Sequence, residues 1–266
     1  MKAINIPWFN PIRRHDTALL VVMAVLAGCG LIYEYLLAHY AGRILGAVEA
    51  TIFAMIGVMI VSMGLGAFFA RGIRCAFTGF SWLEVAIGLL GSTSVLIMAG
   101  VFSMAYLLPT ALQEVYGVDP SMAIEGGITK SFKQIAEAMP FFVGAVVGFL
   151  VGIEIPLIAR VRESVHGKYL QHNAGTIYGA DYIGAGIGAA VWVLVCLKLP
   201  IMVAAIGTAT VNLLMGLFFL WRYRNHIHRP NRLWFAHGLL ACLLVILAAW
   251  GPTWMQNLNN MLFKDQ

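Results

Sequence analysis

The chain has 266 residues, of which 61% are apolar and only 11% are charged, and its formal net charge is +5. A soluble domain carries about a quarter charged residues, so this composition excludes an ordinary soluble enzyme. The positive charge does not indicate nucleic acid as a partner, because the basic residues lie in short connections between apolar runs, where they act as membrane topology signals.

Seven apolar runs predict an all-α fold, a polytopic transmembrane helical bundle, because about 20 apolar residues cross a hydrocarbon core of about 30 Å. In chain order, the predicted spans cover residues 17–39, 48–70, 82–107, 137–159, 174–197, 200–221 and 233–250. This divides the chain into a cytoplasmic N-terminal segment (1–16), a transmembrane domain (17–250) and a C-terminal segment (251–266). The first run is too long for a signal peptide, so we interpret it as a retained span. The longest connection, 108–136, predicts a short surface helix or a partial re-entry.

The basic residues are distributed unevenly between the two predicted sides of the membrane. The side of the N-terminus holds twelve of them: Lys2, Arg13, Arg14, Arg71, Arg74, Arg160, Arg162, Lys168, Arg222, Arg224, Arg229 and Arg232. The other side holds five: Arg43, Lys130, Lys133, Lys198 and Lys264. By the positive-inside rule the N-terminus is therefore cytoplasmic, and seven spans put the C-terminus outside.

Four carboxylates inside the predicted spans are the first candidate site residues: Glu34, Glu84, Glu154 and Asp181. An ionisable group at the bilayer centre costs at least ~2.5 kcal/mol, so each needs a structural or functional reason. Since the spans contain fewer bases than acids, the pattern favours a cationic ligand, unless the carboxyls are protonated. Glu34 could instead pair with Arg43 or a buried tyrosine, and Glu84 lies so near a span end that we expect it to be interfacial and solvated.

Glu154 and Asp181 are expected to face each other in the cytoplasmic half of the bundle. Pro156 follows Glu154 and removes a backbone donor, and interrupted helices of this kind line binding sites in transporters. Tyr178 and Tyr182 lie within a helical turn of Asp181 and could donate hydrogen bonds to it. His237, in the last span, is more typical of a packed, hydrogen-bonded residue than of a ligand. The pattern shows no metal-ligand spacing, and the four cysteines fit packing thiols.

Glycines four residues apart predict close helix contacts, because small residues let helices approach in lipid. Three pairs and one set of three have this spacing: Gly42/Gly46, Gly175/Gly179, Gly184/Gly188 and Gly144/Gly148/Gly152. The fourth and fifth spans each carry such a face, so we expect them to pack tightly around Glu154 and Asp181. Gly184, Gly186 and Gly188 lack the strand context of a dinucleotide-binding loop.

Several segments resemble, in order and spacing, the N-terminal transmembrane domain of membrane-bound bacterial polyamine aminopropyltransferases, the spermidine synthases. These are Gly28-Cys-Gly-Leu-Ile-Tyr-Glu34, Met63-Gly-Leu-Gly-Ala67, Gly152-Ile-Glu-Ile-Pro-Leu157, Tyr178-Gly-Ala-Asp-Tyr-Ile-Gly-Ala185 and Leu199-Pro200 with Asn212. The resemblance covers roughly residues 17–222. It implies spermidine biosynthesis in the bacterial plasma (inner) membrane, with putrescine or spermidine as possible partners besides the lipid bilayer and a second copy of the chain.

The resemblance also implies a separate catalytic transferase domain, to which decarboxylated S-adenosylmethionine would belong. This chain lacks the glycine-loop and acid constellation of that domain, so we expect no cofactor and no catalytic residue in it. A cytoplasmic catalytic domain conflicts with seven spans that end outside. Either one segment does not cross, the 108–136 region adds a partial crossing, or the domain is external.

Three functions remain open from the sequence. The first is the membrane domain of a polyamine aminopropyltransferase, which anchors the enzyme and binds or passes cationic amines. The second is a small-solute or cation transporter that uses the buried carboxylates, and the third is a passive anchor or assembly module in which the acids are structural.

Overall fold

The computed structural model describes residues 11–117, 127–166 and 173–262. These residues form seven α-helices: α1 (Pro11–Leu45), α2 (Val48–Phe69), α3 (Ala76–Tyr116), α4 (Gly127–His166), α5 (Asn173–Leu194), α6 (Ile201–Tyr223) and α7 (Pro230–Leu262). All seven predicted spans are confirmed as helices, and each is long and apolar enough to cross a membrane. Within the described ranges there is no strand.

Prolines and glycines set several of the helix ends. Pro230 is the first residue of α7, a position that suits proline because the first backbone N–H has no helical partner. Gly46 and Gly117 end helices with left-handed φ values of 77° and 62°, a conformation that costs a glycine little. Pro140 and Pro156 lie inside α4, which continues through both.

The connection 108–136 differs from its prediction. Helix α3 runs on to Tyr116 and α4 already begins at Gly127, so most of this segment extends two spanning helices and forms no separate surface helix within the described residues. Residues 118–126, including Asp119, Pro120 and Glu125, lie outside the described part. At 1.5 Å per residue α3 is about 60 Å long, roughly twice the hydrocarbon thickness.

Pairs of contacting residues give the directions of the helices. Gly144, Gly148 and Gly152 of α4 lie in turn against Met55, Met59 and Met63 of α2, so these two helices are parallel. Gly184 and Gly188 of α5 lie against Ala24 and Gly28 of α1, again in parallel. The end of α4 also meets the start of α1 and the α2–α3 turn, and the α6–α7 turn meets the start of α3. Odd-numbered helices therefore run one way and even-numbered helices the other. We call the end that contains Asp16 and the turns 70–75 and 224–229 the basic face.

The faces of Gly144/Gly148/Gly152 and Gly184/Gly188 are thus confirmed as close helix contacts, but their partners differ from the prediction. Gly42 lies against Val48 at the start of α2, whereas Gly46 has nothing within 4 Å, so the contact predicted for Gly46 is wrong. A Cβ at Gly152 would overlap the Met63 backbone, and a Cβ at Gly184 would overlap the Ala24 backbone. Helices α4 and α5 each use their glycines on another helix, and α4 and α5 pack only loosely on each other. Gly175 and Gly179 have open space around them, so the contact predicted for this pair is wrong.

Two arginine side chains of α4 connect neighbouring helices at the basic face. The Arg160 guanidinium donates to the carbonyls of Ala70, Ile73 and Arg74 at 3.2, 2.7 and 3.1 Å, which ties α4 to the turn between α2 and α3. The Arg162 guanidinium forms an ion pair with Asp16 of α1, with its second contact at 3.1 Å. Two of the twelve basic residues therefore hold protein groups together.

Candidate functional site

The four intramembrane acids occupy two kinds of environment. Glu84 and Glu154 are completely buried, with 0% and 1% of their surfaces exposed, whereas Glu34 and Asp181 are half-buried. The expectation of a solvated, interfacial Glu84 is therefore wrong. Helix α3 begins at Ala76, six residues before the predicted span start, which places Glu84 about 12 Å along the helix and inside the bundle.

Asn212 of α6 binds Glu84. Its side-chain amide donates to the Glu84 backbone carbonyl at 3.0 Å and to Oε2 of the same residue at 3.1 Å. Gly216, one turn further along α6, leaves room for the Glu84 side chain, because a Cβ there would come within 3.0 Å of the Glu84 Cβ. The other carboxylate oxygen, Oε1, has no hydrogen-bond partner within the described residues.

His237 of α7 reaches the same place from the other side. Its Nδ1 lies 2.9 Å from the Leu233 carbonyl, and since a carbonyl only accepts, Nδ1 carries the donated hydrogen. Its Nε2 points toward Gly216, 2.8 Å from where a Cβ would stand. This confirms the packed, hydrogen-bonded histidine predicted from the sequence. Its Nε2 has no partner in the described part of the chain, and in the neutral ring this nitrogen is an acceptor.

Tyr33 and Glu154 complete the inner group. Tyr33 of α1 is fully buried, and its ring fills the space that a side chain at Gly91 would take. It lies within electrostatic range of both Glu84 and Glu154, and Glu154 interacts with both Glu84 and Asp181. Glu154 and Asp181 thus lie within electrostatic range of each other, and that they face each other stays a prediction.

We call these five residues the acid cluster: Tyr33, Glu84, Glu154, Asn212 and His237. Four of its buried polar atoms have no hydrogen-bond partner among the described residues, namely Tyr33 Oη, Glu84 Oε1, Glu154 Oε2 and His237 Nε2. With the carboxyls ionised and the histidine ring neutral, all four accept a hydrogen bond, and only the tyrosine hydroxyl also donates. The cluster is thus rich in acceptors, and its natural complement is a cation that only donates, such as a primary ammonium group.

The remaining predicted site residues lie outside this group. Glu34 follows Tyr33 in sequence but forms neither the ion pair with Arg43 nor a tyrosine contact in the described structure. Tyr178 and Tyr182 are 46% and 72% exposed and stack on each other with ring centroids 6.4 Å apart. The hydrogen bonds expected from them to Asp181 are not formed within the described residues. Nor do the described residues contain a group of three or more His, Cys, Asp or Glu placed to hold a metal ion.

Sequence reasoning missed Asn212 and Tyr33 as members of the site. Both were noticed only as parts of segments that carried the resemblance. The usable signal was an amide in the apolar run of α6 with a glycine one turn later, since a buried amide needs a polar partner and the glycine leaves space for one.

The chain is similar to proteins named polyamine aminopropyltransferase. It is 52% identical to the one from Shewanella oneidensis over all of this chain and 45% of that protein. It is 27% identical to polyamine aminopropyltransferase 2 of Streptomyces coelicolor over 84% of this chain and 37% of the relative. It is also 27% identical to polyamine aminopropyltransferase 1 of Ralstonia nicotianae, over 90% of this chain and 42% of the relative.

The chain therefore spans less than half the length of these relatives. No family model matches it. No solved structure matches it either.

Proposed function

Because the chain belongs to the polyamine aminopropyltransferase family, we propose that it is the part of such an enzyme that anchors it in the membrane and binds a cationic amine there. Anchoring is supported by seven helices of sufficient length and apolar character. The amine site is supported by the acid cluster, in which four buried polar atoms lack a partner and none is a dedicated donor.

We also propose the bacterial plasma membrane as the location, with the basic face in the cytoplasm. The described arginines of the turns 70–75 and 224–229 gather at this face, as do Arg160 and Arg162. Cytoplasmic ends of membrane proteins are enriched in Lys and Arg. Glu84 lies about 12 Å from the start of α3 at the same face, so an amine from the cytoplasm has the shorter path to the cluster.

The single observation that carries the amine site is the paired burial of Glu84 and Glu154. Two carboxyls in electrostatic contact inside an apolar bundle are costly as anions, and no described Lys or Arg lies with them. A polyamine supplies several positive charges and only donors, so it would satisfy both oxygens that lack partners. Decarboxylated S-adenosylmethionine, putrescine and the aminopropyl transfer itself would concern parts of the enzyme beyond these residues.

The test is amine-dependent stabilisation of the purified chain in detergent. Spermidine or putrescine at millimolar concentration should raise the melting temperature, because a ligand at about 100 times its Kd stabilises by about 2.7 kcal/mol. Glu84→Gln and Glu154→Gln should abolish the shift, and both should fold, since a neutral amide is easier to bury than a carboxylate. Glu137→Gln, an exposed position on the same helix as Glu154, is the matched control.

Magnesium chloride at equal ionic strength separates specific binding from screening. A melting temperature unchanged by millimolar amine would overturn the proposed amine site but not the proposed anchoring function. If instead Glu137→Gln removed the shift as fully as Glu154→Gln, the binding would lie outside the acid cluster.

Passage of the amine is a second candidate function, favoured by the graded exposure of the acids. Exposure rises from Glu84 and Glu154, which are buried, to Asp181, which is half-buried on the loosely packed side between α4 and α5. Such a series could lead a cation toward the outside of the bundle. Counterflow of radiolabelled amine in proteoliposomes, against a panel of other cations, would detect it. If the amine bound without counterflow, the cluster would be a binding site and not a transport path. If the amine neither bound nor crossed, the chain would be a passive anchor.

A further inference from the structure

Helices α3 and α7 enclose a groove beside the basic face, separate from the acid cluster. Its volume is about 590 Å³, and it is lined by Trp82, Asn231, Arg232, Phe235, Ala236 and Leu239. Trp82 lines it from α3, and the other five residues belong to α7. We call it the α3–α7 groove.

The lining of the groove changes from polar to apolar along α7. Asn231 and Arg232 belong to the first turn, whereas Leu239 lies about 10 Å further along the helix. Phe235 and Leu239 are 70% and 56% exposed, which is a large apolar surface next to a guanidinium. This order of groups matches one leaflet of a bilayer from headgroup to upper acyl chain.

The charge of the groove favours an anion. No carboxylate lines it, and Arg232 is exposed and forms no side-chain hydrogen bond or ion pair with any described residue. Arg160 and Arg162 differ from it, because both are engaged by protein groups. Of the described acids at this face, Asp16 is already paired with Arg162.

We propose that the α3–α7 groove binds one anionic phospholipid. The lipid phosphate accepts hydrogen bonds from Arg232 and Asn231, since a guanidinium fork fits phosphate oxygens. One acyl chain lies along Trp82, Phe235 and Leu239. The indole of Trp82 suits this depth, because tryptophan prefers the boundary between headgroups and hydrocarbon.

The test is lipid binding to the full chain in detergent, followed by native mass spectrometry and by melting temperature. Phosphatidylglycerol should bind and stabilise the protein more than phosphatidylcholine. Arg232→Gln should weaken phosphatidylglycerol binding about fivefold, the effect of one arginine near an anionic lipid surface. Arg224→Gln removes an equal charge from the same face outside the groove and should change binding less than twofold. Trp82→Ala should weaken the binding of both phospholipids.

A second experiment with a water-soluble phosphate ester distinguishes a lipid from a free phosphate as the ligand. Glycerol 3-phosphate should give no shift at the same concentration, because it lacks the acyl chain. Equal stabilisation by glycerol 3-phosphate would overturn the lipid assignment. Equal effects of Arg232→Gln and Arg224→Gln, or equal binding of the two phospholipids, would overturn the site itself.

Discussion

Asn212 donates through one amide nitrogen to two oxygens of Glu84, the backbone carbonyl at 3.0 Å and Oε2 at 3.1 Å. The contact joins α6 to α3 in the interior of the bundle. It holds one carboxylate oxygen, whereas the other, Oε1, has no partner in the described structure. Asn212 therefore fixes the Glu84 carboxylate through one of its two oxygens.

Asn212→Leu should lower the free energy of unfolding by about 1–3 kcal/mol, because it leaves the buried Oε2 of Glu84 without a donor. Unfolding in mixed detergent micelles, followed by tryptophan fluorescence, measures the change. Thr210→Val is the control, since that exposed hydroxyl bonds only within its own helix, to the Ile206 carbonyl. Equal losses for the two variants would contradict a structural role of the contact between α6 and α3.

Gly184→Ala should destabilise the bundle by about 1–3 kcal/mol, because the new Cβ would meet the Ala24 backbone, which cannot move aside as a flexible side chain can. Gly186→Ala, two residues along the same helix, meets nothing within 4 Å. It should be neutral or stabilise by up to about 1 kcal/mol, the helix propensity gained over glycine. Thermal melts of both variants test the parallel packing of α1 and α5, and similar melting temperatures would argue against it.

Arg160→Gln should cost about 1–3 kcal/mol, since hydrogen bonds from a charged donor to three carbonyls are lost. Arg160→Lys should recover only part of this, because an ammonium lacks the planar fork that reaches several carbonyls at once. Arg74→Gln, an exposed side chain in the same turn, serves as the control. Full rescue by lysine would show that charge alone matters at this position.

Neutral substitutions of the four intramembrane acids should reduce amine-induced stabilisation to different degrees. Glu84→Gln and Glu154→Gln should abolish the shift, and Asp181→Asn should reduce it, since Asp181 is half-buried and acts electrostatically on Glu154. Glu34→Gln should leave the shift unchanged, because Glu34 is half-buried and apart from the cluster. Titrations of melting temperature against spermidine concentration would measure this order. An effect of Glu34→Gln as large as that of Glu154→Gln would place the amine elsewhere.

The positions of the helices were predictable because hydropathy acts locally. Each apolar run became a helix, and the errors lie at the ends, where α3 and α4 extend beyond the hydrocarbon thickness. Packing partners were not predictable in the same way. The glycines of α4 and α5 indicated close contacts, but a small-residue face does not specify which helix lies against it, and the partners proved to be α2 and α1.

The candidate site was predictable in part. Glu154 and Asp181 were placed together because the directions of α4 and α5 bring them to similar depth. Glu84 was misplaced because the hydropathy window began the third span at residue 82, although Phe77 and Phe80 already pack in the core. Residues far apart in sequence, such as Asn212 and His237, join the cluster only through tertiary contacts that no local pattern contains.

The engagement of Arg160 and Arg162 gives the basic face an uneven electrostatic potential in the plane of the membrane. The Asp16 carboxylate offsets the charge of one, and carbonyls at the end of α2, the negative end of its helix dipole, offset the other. Of the arginines whose side chains are described, Arg222, Arg224, Arg229 and Arg232 supply charge beside α6 and α7. Among the described residues these arginines outnumber the exposed Arg71 and Arg74 of the α2–α3 turn. An anionic surface should therefore attract the α6–α7 side of the bundle more strongly than the α2–α3 side, which favours one rotational setting of the protein relative to its neighbours in the lipid.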